Sequence, residues 1–399
     1  MKQHDPKLLI YSFDYPPNDG GISRLCCELA REYGANGDDA LVLTQASTAP
    51  AGPRPPQVGE IRTSARRPRR EWESYRALVQ RRSVPVICGI WYPEGLIATL
   101  AGVRPRIILA HGTELLPRRS QWRRKLWSRL QRWTLASADL VIANSVYTRR
   151  MVLQAAPESN VAAIPLGVDV RRFCPGDRDA AKRRWDVEGK TVISTVARLH
   201  EYKGHDTVLQ ALAALPGHHL NRLVYLVAGK GPYRPWLEAR VKNLGLESVV
   251  RWLGYVAEDD LPGLYRASDL FVLCTRESMH DVEGFGLSFL EAQACATPVI
   301  GTRTGGIPDA VVDGRGGWLI GQDDSRELAQ RLSALVTDPE PYRLAGQEAR
   351  ARVERECTWE HYWNRVNAAI STVTPISAQS DGSATAAPAN AKREIPDAI

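Results

Sequence analysis

The chain has 399 residues, of which 44% are hydrophobic and 24% charged, and its 52 Lys and Arg residues against 45 Asp and Glu residues give a net charge of +7. This composition excludes a low-complexity chain, and the length predicts two domains, because one core rarely fills so many residues. No stretch reaches the roughly 18 uninterrupted apolar residues of a membrane-spanning helix, and the first apolar run is too short for a signal peptide. We therefore expect a cytoplasmic protein that is soluble or peripheral on the inner face of the cytoplasmic membrane.

Along the first 170 residues, short apolar runs alternate with amphipathic stretches, which is the rhythm of a parallel sheet whose strands are joined by helices. We expect a doubly wound, Rossmann-like N-terminal domain over residues 1–170. Its strands are predicted at KLLIYSF, ALVLTQ, VPVICGIW, RIILAHG and DLVIANS, and its helices at ISRLCCELAREYG, GLIATLAGV and a basic stretch over residues 120–135.

The same rhythm restarts after the turn-rich stretch VAAIPLGVDVRRFCPG, so we expect a second Rossmann-like domain over residues 171–357. Aromatic and apolar residues at helical spacing over 358–372 predict a terminal helix that completes the first domain. Residues 375–399 are rich in Ala, Ser and Pro without an apolar period, which predicts a disordered tail. Strands of the second domain are predicted at KTVISTVARL, LVYLVAGKG, SVVRWLG, DLFVLCT, PVIGT and GWLI, and helices at HDTVLQALAAL, LPGLYRAS, GLSFLEAQACA and residues 325–336.

Seven cysteines occur without a C-x-x-C pair or a Cys/His spacing suited to zinc. We interpret them as reduced, mostly buried thiols of a cytoplasmic protein. The Asp pairs at 38–39 and 323–324 lack the strand-end D-x-D context of a metal site.

Two adjacent glycines, Gly20 and Gly21, stand between the first predicted strand and the first helix. Such a pair lets backbone amides at a helix N-terminus approach a diphosphate or a sugar closely, although a plain turn has the same sequence. The loop is not a G-x-G-x-x-G, and no G-x-x-x-x-G-K-[ST] occurs, which argues against NAD and P-loop chemistry.

Arg198 and Lys203 flank a loop that follows a predicted strand and opens a helix at about His205. A departing diphosphate requires fixed positive charge, which these two cations could supply at a strand end. Two solvated cations would give the same pattern.

Glu283 and Glu291 lie eight residues apart around a Gly-rich helix start near Gly286. The first is expected in a loop and the second on the helix, so that they can accept hydrogen bonds from different hydroxyl groups of one ligand. Each hydroxyl of a bound polyol needs such a partner once water has left.

With HGTE at His111, NSVYTRR, IPLGVD and VAGKGPY, these motifs occur in an order that resembles glycosyltransferase family 4 up to about residue 372. The resemblance implies a retaining enzyme with the GT-B fold, in which an N-terminal acceptor domain over 1–170 and a C-terminal nucleotide-sugar-binding domain over 171–357 face a cleft. The DVEGFG form of the E-x7-E motif is most similar to bacterial mannosyltransferases that use GDP-mannose. Ala296 and Leu166 depart from the Gly and Asn of many relatives, which leaves the donor open.

The resemblance also implies roles for single residues. Arg198 and Lys203 match the diphosphate-binding pair, Glu283 the residue that binds the donor sugar, and Glu291 the residue that holds the ribose. His111 matches a histidine beside the donor sugar. The expected catalytic residues are thus His111, Arg198, Lys203 and Glu283, and the other donor-binding residues are Gly20, Gly21, Tyr255, Val256, Gly284, Phe285, Gly286, Leu287 and Glu291.

The resemblance implies a metal-independent hexosyltransferase without a cofactor, whose substrate is GDP-mannose or a UDP-hexose. The expected acceptor is a lipid-linked saccharide or glycolipid of cell-surface assembly. A UDP-hexose-dependent transferase of the same family and a nucleotide-sugar epimerase on the same fold are the alternatives. Nucleic-acid binding is disfavoured, because the basic residues accompany no nucleic-acid module.

The basic stretch over 120–135 has an amphipathic pattern that is typical of a helix lying on an anionic membrane surface. In the alternative interpretation, the aromatic face packs into the core and the basic face is solvated. The apolar face consists of Trp122, Leu126, Leu130 and Trp133, and the basic residues are Arg123, Arg124, Lys125 and Arg132.

Overall fold

The computed structural model describes residues 7–18, 20–35, 37, 39–47, 58–117 and 121–374, except for the side chains of residues 121–123. The predicted tail over 375–399 lies outside these residues. The described chain forms two compact units, one up to Ile164 and again from Tyr362, and the other from Pro165 to His361.

The first unit is built on a parallel sheet, as the alternating pattern predicts. Among its described residues the sheet has seven strands in the order β3-β2-β1-β4-β5-β6-β7. The order reverses between β1 and β4, and open α/β sheets bind ligands beyond the carboxyl ends of the strands at such a switch point. The elements are β1 (Leu8–Tyr11), α1 (Gly21–Ala35), β2 (Ala40–Gln45), β3 (Val58–Thr63), α2 (Arg69–Val79), β4 (Val86–Cys88), α3 (Leu96–Ala101), β5 (Arg106–Ala110), α4 (Gln121–Ala136), β6 (Leu140–Ala143), α5 (Val146–Ala155) and β7 (Val161–Ala163).

The second unit, all of which the structure describes, repeats this plan with six parallel strands in the order β10-β9-β8-β11-β12-β13. Its switch point lies between β8 and β11. The expected fold class of two Rossmann-like doubly wound units is confirmed. The elements are α6 (Arg178–Arg184), β8 (Thr191–Val196), α7 (His205–Ala213), α8 (Gly217–Leu220), β9 (Leu223–Ala228), α9 (Arg234–Asn243), β10 (Val250–Gly254), α10 (Leu261–Ala267), β11 (Leu270–Leu273), α11 (Leu287–Ala294), β12 (Val299–Thr302), α12 (Ile307–Ala310), β13 (Gly317–Ile320), α13 (Ser325–Thr337) and α14 (Glu340–Glu356).

The last described helix, α15 (Trp359–Ser371), returns the chain to the first unit. Its aromatic face is buried, and the ring of Trp363 packs edge-on against that of Tyr33, with centroids 5.5 Å apart. The helix thus lies within the range 358–372 over which the sequence predicts a terminal helix.

The strand β3 and the helix α2, which come directly after β1, α1 and β2 in the chain, are among the elements that the sequence analysis does not predict. The strand β3 is an edge strand with mostly half-buried side chains, so its apolar signal is weak. The helix α2 contains Arg69 and Glu73, four residues apart, whose side chains form an ion pair, while Leu78 packs in the core. In such a helix, charge pairs mask the apolar period.

None of the helices in the described part of the chain is both long and apolar enough to cross a membrane.

Candidate functional site

The switch point of the second sheet brings together two predicted site residues. Lys203 lies in a short helical turn after β8, and Glu283 lies in the loop after β11. The Lys203 ammonium group contacts Oε2 of Glu283 directly, and the two side chains are only 12% and 17% exposed. Burial lowers the pKa of Lys203, but the charge and hydrogen bond of Glu283 together with Tyr202 more than offset this, so the pKa is raised and the side chain remains charged.

A glycine sets the position of Lys203. Gly204 has a left-handed backbone with φ of 67°, and a Cβ atom there would lie 1.7 Å from the carbonyl oxygen of Cys274. Only glycine allows this close approach of the turn to the end of β11. His205 then begins α7 in a buried position, and burial lowers its pKa to about 4, so that it adds no positive charge beside Lys203.

Arg276, which follows β11, ties the Lys203 turn to the sheet. Its guanidinium group donates to both carboxylate oxygens of Asp206, at 2.8 and 2.7 Å, and to the carbonyl oxygen of Glu201 at 3.1 Å. It also forms an ion pair with Asp323. The hydrogen bonds with Asp206 are the largest cause of its raised pKa. Arg276 therefore acts as a structural clamp on the turn.

The backbone of Glu283 is held from the other side by a glycine turn. The amide of Gly306 donates to the carbonyl oxygen of Glu283 at 2.8 Å. A Cβ atom on Gly305, whose φ is 55°, would lie 2.3 Å from that same oxygen. The Glu283 side chain thus projects from a loop that is fixed at both Lys203 and the glycine turn.

The residues from Gly284 to Leu287 lead into α11, which begins at Leu287. Gly286 precedes it with φ of 91°, and a Cβ atom there would clash with the Phe289 ring at 2.8 Å. The side chain of Phe285 is buried, so only its backbone could contact a ligand. The first amides of α11 point out of the helix end, where partial positive charge favours an anion.

The remaining predicted residues of this unit differ in exposure. Glu291 is buried on α11 and accepts a hydrogen bond from the Tyr265 hydroxyl at 2.8 Å. Arg198 is exposed and Val256 is half-buried. Tyr255 is 58% exposed, and the Lys230 ammonium group lies 5.6 Å from its ring centroid. The Tyr255 ring is therefore accessible for stacking, as a nucleotide base would require.

The other predicted residues, His111, Gly20 and Gly21, lie in the first unit. Nε2 of His111 is 2.7 Å from the carbonyl oxygen of Gly89, so this nitrogen carries a proton and only Nδ1 could accept from a ligand. The His111 amide donates to Glu114. Gly21 begins α1 and Gly20 precedes it, both exposed.

The site contains residues that the sequence analysis missed, above all Gly204, Arg276 and Gly305. The glycines have a signal in the sequence, since each lies in a turn after a strand. Arg276 has none, because its partners Asp206 and Asp323 are 70 and 47 residues away in the chain. In the described part of the chain, no group of three or more His, Cys, Asp or Glu side chains is arranged to hold a metal ion.

Family models match both halves of the chain. Residues 19–172 match the model described as Glycosyltransferase Family 4, and residues 177–352 match Glycosyl transferases group 1.

Curated relatives include mannosyltransferases of glycolipid assembly. A GDP-mannose-dependent α-(1-6)-phosphatidylinositol monomannoside mannosyltransferase of Mycolicibacterium smegmatis is 32% identical over 61% of this chain and 64% of its own. A D-inositol 3-phosphate glycosyltransferase of Saccharomonospora viridis is 35% identical over 55% of this chain and 53% of its own. The matches thus span between half and two thirds of these relatives. A GDP-mannose-dependent monoacylated α-(1-6)-phosphatidylinositol monomannoside mannosyltransferase of Corynebacterium glutamicum is 29% identical over 89% of this chain and 95% of its own.

Solved structures share the fold over nearly the whole chain. HepE of Anabaena, in complex with UDP and glucose, has a TM-score of 0.76 at 21% identity and covers 92% of this chain and 100% of its own. Sucrose-phosphate synthase of Thermosynechococcus elongatus has a TM-score of 0.76 at 21% identity and covers 93% of this chain and 99% of its own.

Proposed function

Because the chain belongs to glycosyltransferase family 4 and has the GT-B fold, we propose that it is a retaining transferase that moves mannose from GDP-mannose to a lipid-linked saccharide or glycolipid. The observation that carries this proposal is the contact between Lys203 and Glu283 at the switch point of the second sheet. It places a fixed cation and a hydroxyl-accepting carboxylate side by side, and a sugar diphosphate needs both.

The donor would lie along the carboxyl ends of β8 and β11. Its diphosphate would contact Lys203, the exposed Arg198 and the first amides of α11, all of which favour negative charge. Its sugar hydroxyls would donate to Glu283, and its base would lie along Tyr255 and Val256. Glu291, whose carboxylate already accepts from Tyr265, would hold the ribose.

We propose front-face transfer, in which the acceptor hydroxyl attacks the anomeric carbon from the side that the diphosphate leaves. The bond between the anomeric carbon and the diphosphate oxygen breaks, the bond to the acceptor oxygen forms, and the acceptor proton passes to the departing diphosphate. Lys203 and Arg198 stabilise the charge that develops on the leaving group. His111 would orient the donor sugar. The protein thus acts by positioning and electrostatics, without a metal ion.

The names of the relatives, which include phosphatidylinositol monomannoside or inositol phosphate, support a glycolipid as the acceptor class. A lipid acceptor requires access to a membrane, and α4 offers a surface for it. Leu126 is 73% exposed and Trp133 46%, so the interpretation in which this face packs into the core does not hold for them. Arg124 and Lys125 are exposed on the same helix. The side chains of Trp122 and Arg123 lie outside the described residues.

A donor panel tests the proposal. Binding of GDP-mannose, other GDP-sugars and UDP-hexoses is measured by calorimetry, and we expect GDP-mannose to bind most tightly. Incubation with phosphatidylinositol monomannoside in vesicles should then give a product whose α-anomeric configuration is read by NMR.

Other outcomes identify the alternatives. If a UDP-hexose bound most tightly, the donor would be a UDP-hexose and not GDP-mannose, and the assignment as a glycosyltransferase would stand. Release of an epimerised sugar nucleotide without acceptor would identify an epimerase. If no sugar nucleotide bound, the proposed function would be wrong.

A further inference from the structure

Glu291 is a buried carboxylate on α11, and a tyrosine on the neighbouring helix α10 fixes its direction. Only 4% of Glu291 is exposed, and Tyr265 on α10 is fully buried. The Tyr265 hydroxyl donates to Oε2 of Glu291 at 2.8 Å. A buried carboxylate needs such a donor, because water no longer solvates its charge. The bond therefore holds one of the two carboxylate oxygens towards α10.

Aromatic contacts fix the ring of Tyr265 itself. The ring meets those of Phe271 and Phe173 edge-on, with centroids 5.8 and 6.0 Å apart. Phe271 is fully buried on β11, and Phe173 is buried in the segment that precedes α6. Because edge-to-face pairs have a preferred geometry, these two contacts restrict the rotation of the ring. The hydroxyl is thus presented to Glu291 from a rigid position.

The backbone of Tyr265 is held as well. Its carbonyl oxygen accepts hydrogen bonds from the Thr297 hydroxyl at 2.7 Å and from the Ser268 amide at 3.0 Å. Thr297 is buried and follows α11 in the chain, so its hydroxyl ties the end of α10 to the segment after α11. Tyr265 and Glu291 therefore lie on two helices that are fastened to each other.

The chemistry of a carboxylate explains why its direction matters. The group has two oxygens with about four lone-pair sites, so one hydrogen bond from Tyr265 leaves acceptor capacity for a ligand. The 2′ and 3′ hydroxyls of a ribose are adjacent donors, and a carboxylate accepts from both only when it is correctly oriented. A glutamate side chain that is already oriented loses less conformational entropy when the ligand binds.

We propose that Tyr265 is a positioning residue for the ribose of the donor. Its hydroxyl presets the Glu291 carboxylate so that this group accepts hydrogen bonds from the ribose 2′ and 3′ hydroxyls. Tyr265 acts through Glu291 and does not itself contact the nucleotide. The inference rests on the proposed function, because it requires a nucleoside diphosphate in the second unit. It assigns to Tyr265 the selectivity of the site for ribose over a ring without these hydroxyls.

Tyr225 offers a matched control in the same unit. It is fully buried on β9, and its hydroxyl lies 2.8 Å from that of Thr195. Tyr225→Phe therefore removes a buried tyrosine hydroxyl and its hydrogen bond, as Tyr265→Phe does. The hydrogen bond that it removes does not involve Glu291. A change that Tyr265→Phe causes and Tyr225→Phe does not cause is thus more than the loss of a buried hydroxyl.

Calorimetry with paired nucleotides tests the inference. GDP with 2′,3′-dideoxy-GDP, and UDP with 2′,3′-dideoxy-UDP, are titrated into the full chain, and the base that binds the wild type more tightly is used. The wild type should bind the ribose form about tenfold more tightly than the dideoxy form, because the dideoxy form leaves the buried carboxylate without its ligand donors. Tyr265→Phe should reduce this ratio about fivefold, mainly by weakening the ribose form. Tyr225→Phe should keep the ratio within about twofold of the wild type.

A further variant shows whether Tyr265 acts through Glu291. Glu291→Ala should itself abolish most of the preference for the ribose form. Adding Tyr265→Phe to Glu291→Ala should then change the ratio by less than about twofold, because the group that Tyr265 positions is gone. A further fall of several fold in this background would contradict a role through Glu291.

The outcomes separate this inference from the proposed function. If Tyr265→Phe weakened the ribose and dideoxy forms equally, its hydroxyl would only stabilise the fold, and the inference would be wrong while nucleotide binding stood. If the wild type bound both forms equally, Glu291 would not hold the ribose, and the inference would again be wrong. If neither GDP nor UDP bound to the wild type, the proposed function would be wrong and this inference with it.

Discussion

Lys203 and Glu283, 80 residues apart in the chain, form a direct ion pair at the carboxyl edge of the second sheet. The two residues are expected to serve different parts of the donor, the diphosphate and the sugar, yet each positions the other before a donor arrives. Because both side chains are mostly buried, removal of either partner leaves a charge without compensation. Their effects on donor binding should therefore be coupled.

A double-mutant cycle measures this coupling. Lys203→Ala and Glu283→Ala should each weaken donor binding at least tenfold. The loss of donor affinity in the double variant should be much smaller than the product of the two single losses. We expect a coupling energy of about 1 kcal/mol or more from calorimetric donor affinities. Lys242→Ala, an exposed lysine on α9, is the control. Additive effects would contradict a preformed pair.

Gly204 offers a test of the turn that carries Lys203. Gly204 and Gly245 have nearly the same backbone, with φ of 67° and 66°, but a Cβ atom at Gly245 meets nothing within 4 Å. Gly245→Ala therefore isolates the cost of a left-handed alanine, about 1 kcal/mol. Gly204→Ala adds the clash with the Cys274 carbonyl and should cost about 3 kcal/mol or more in chemical denaturation. Equal costs would show that the turn can move.

The Arg276 clamp predicts a loss of donor affinity from a conservative change. Lysine cannot donate to both oxygens of Asp206 while also reaching the Glu201 carbonyl, so Arg276→Lys should loosen the Lys203 turn. We expect the donor KM to rise severalfold and kcat to change less. Arg234→Lys replaces an arginine that pairs with Glu238 on an exposed helix and should leave both unchanged. A fall in kcat alone would contradict a positioning role.

The fold could be predicted because each buried strand of the second unit is a short apolar run followed by a helix with its own period. The residues of the family motifs could be placed for the same reason, since Lys203 and Glu283 follow strands that neighbour each other at the switch point. Loop residues after parallel neighbouring strands meet at one edge, so their approach is inherent in the topology.

Other features could not be predicted, because they depend on long-range packing. Glu94 lies in the run WYPEG, and nothing in that run indicates that its carboxyl will be buried against the Phe13 amide, 81 residues away. Arg276 appears as an ordinary loop cation until Asp206 and Asp323 are brought to it. In both cases the partner comes from a distant part of the chain.

The exposed apolar residues of α4 predict membrane binding. Trp133→Ser combined with Leu126→Ser should reduce flotation with vesicles that contain anionic lipid, because each side chain would bury its apolar surface at the interface. Trp236→Ser is a matched control in the second unit, since Trp236 is 47% exposed and Trp133 46%. Equal flotation of the wild type and the double variant would remove α4 as the membrane contact.

Glu94 predicts a pH dependence of stability in the first unit. Desolvation raises the pKa of its carboxyl to about 7, whereas Arg70 opposes this shift and Asp14 adds to it. The folded state therefore holds the Glu94 proton more tightly than the unfolded state, whose pKa is 4.5. This contribution to stability is complete below pH 4.5, falls as the pH rises to about 7, and is absent above it.

Replacing Glu94 with glutamine removes the titration while nearly preserving the shape of the side chain. Relative to the wild type, Glu94→Gln should gain stability between pH 5 and pH 8, by a total on the order of 3 kcal/mol. Thermal unfolding across this range measures the difference in stability between the variant and the wild type. The contributions of all other titratable groups cancel in this difference. Glu73→Gln should show no such gain, because hydrogen bonds from the Ser64 amide and Arg69 lower the pKa of that half-buried carboxylate. A constant difference between Glu94→Gln and the wild type would mean that the Glu94 carboxyl is hydrated and ionised, with a pKa near that of the unfolded chain.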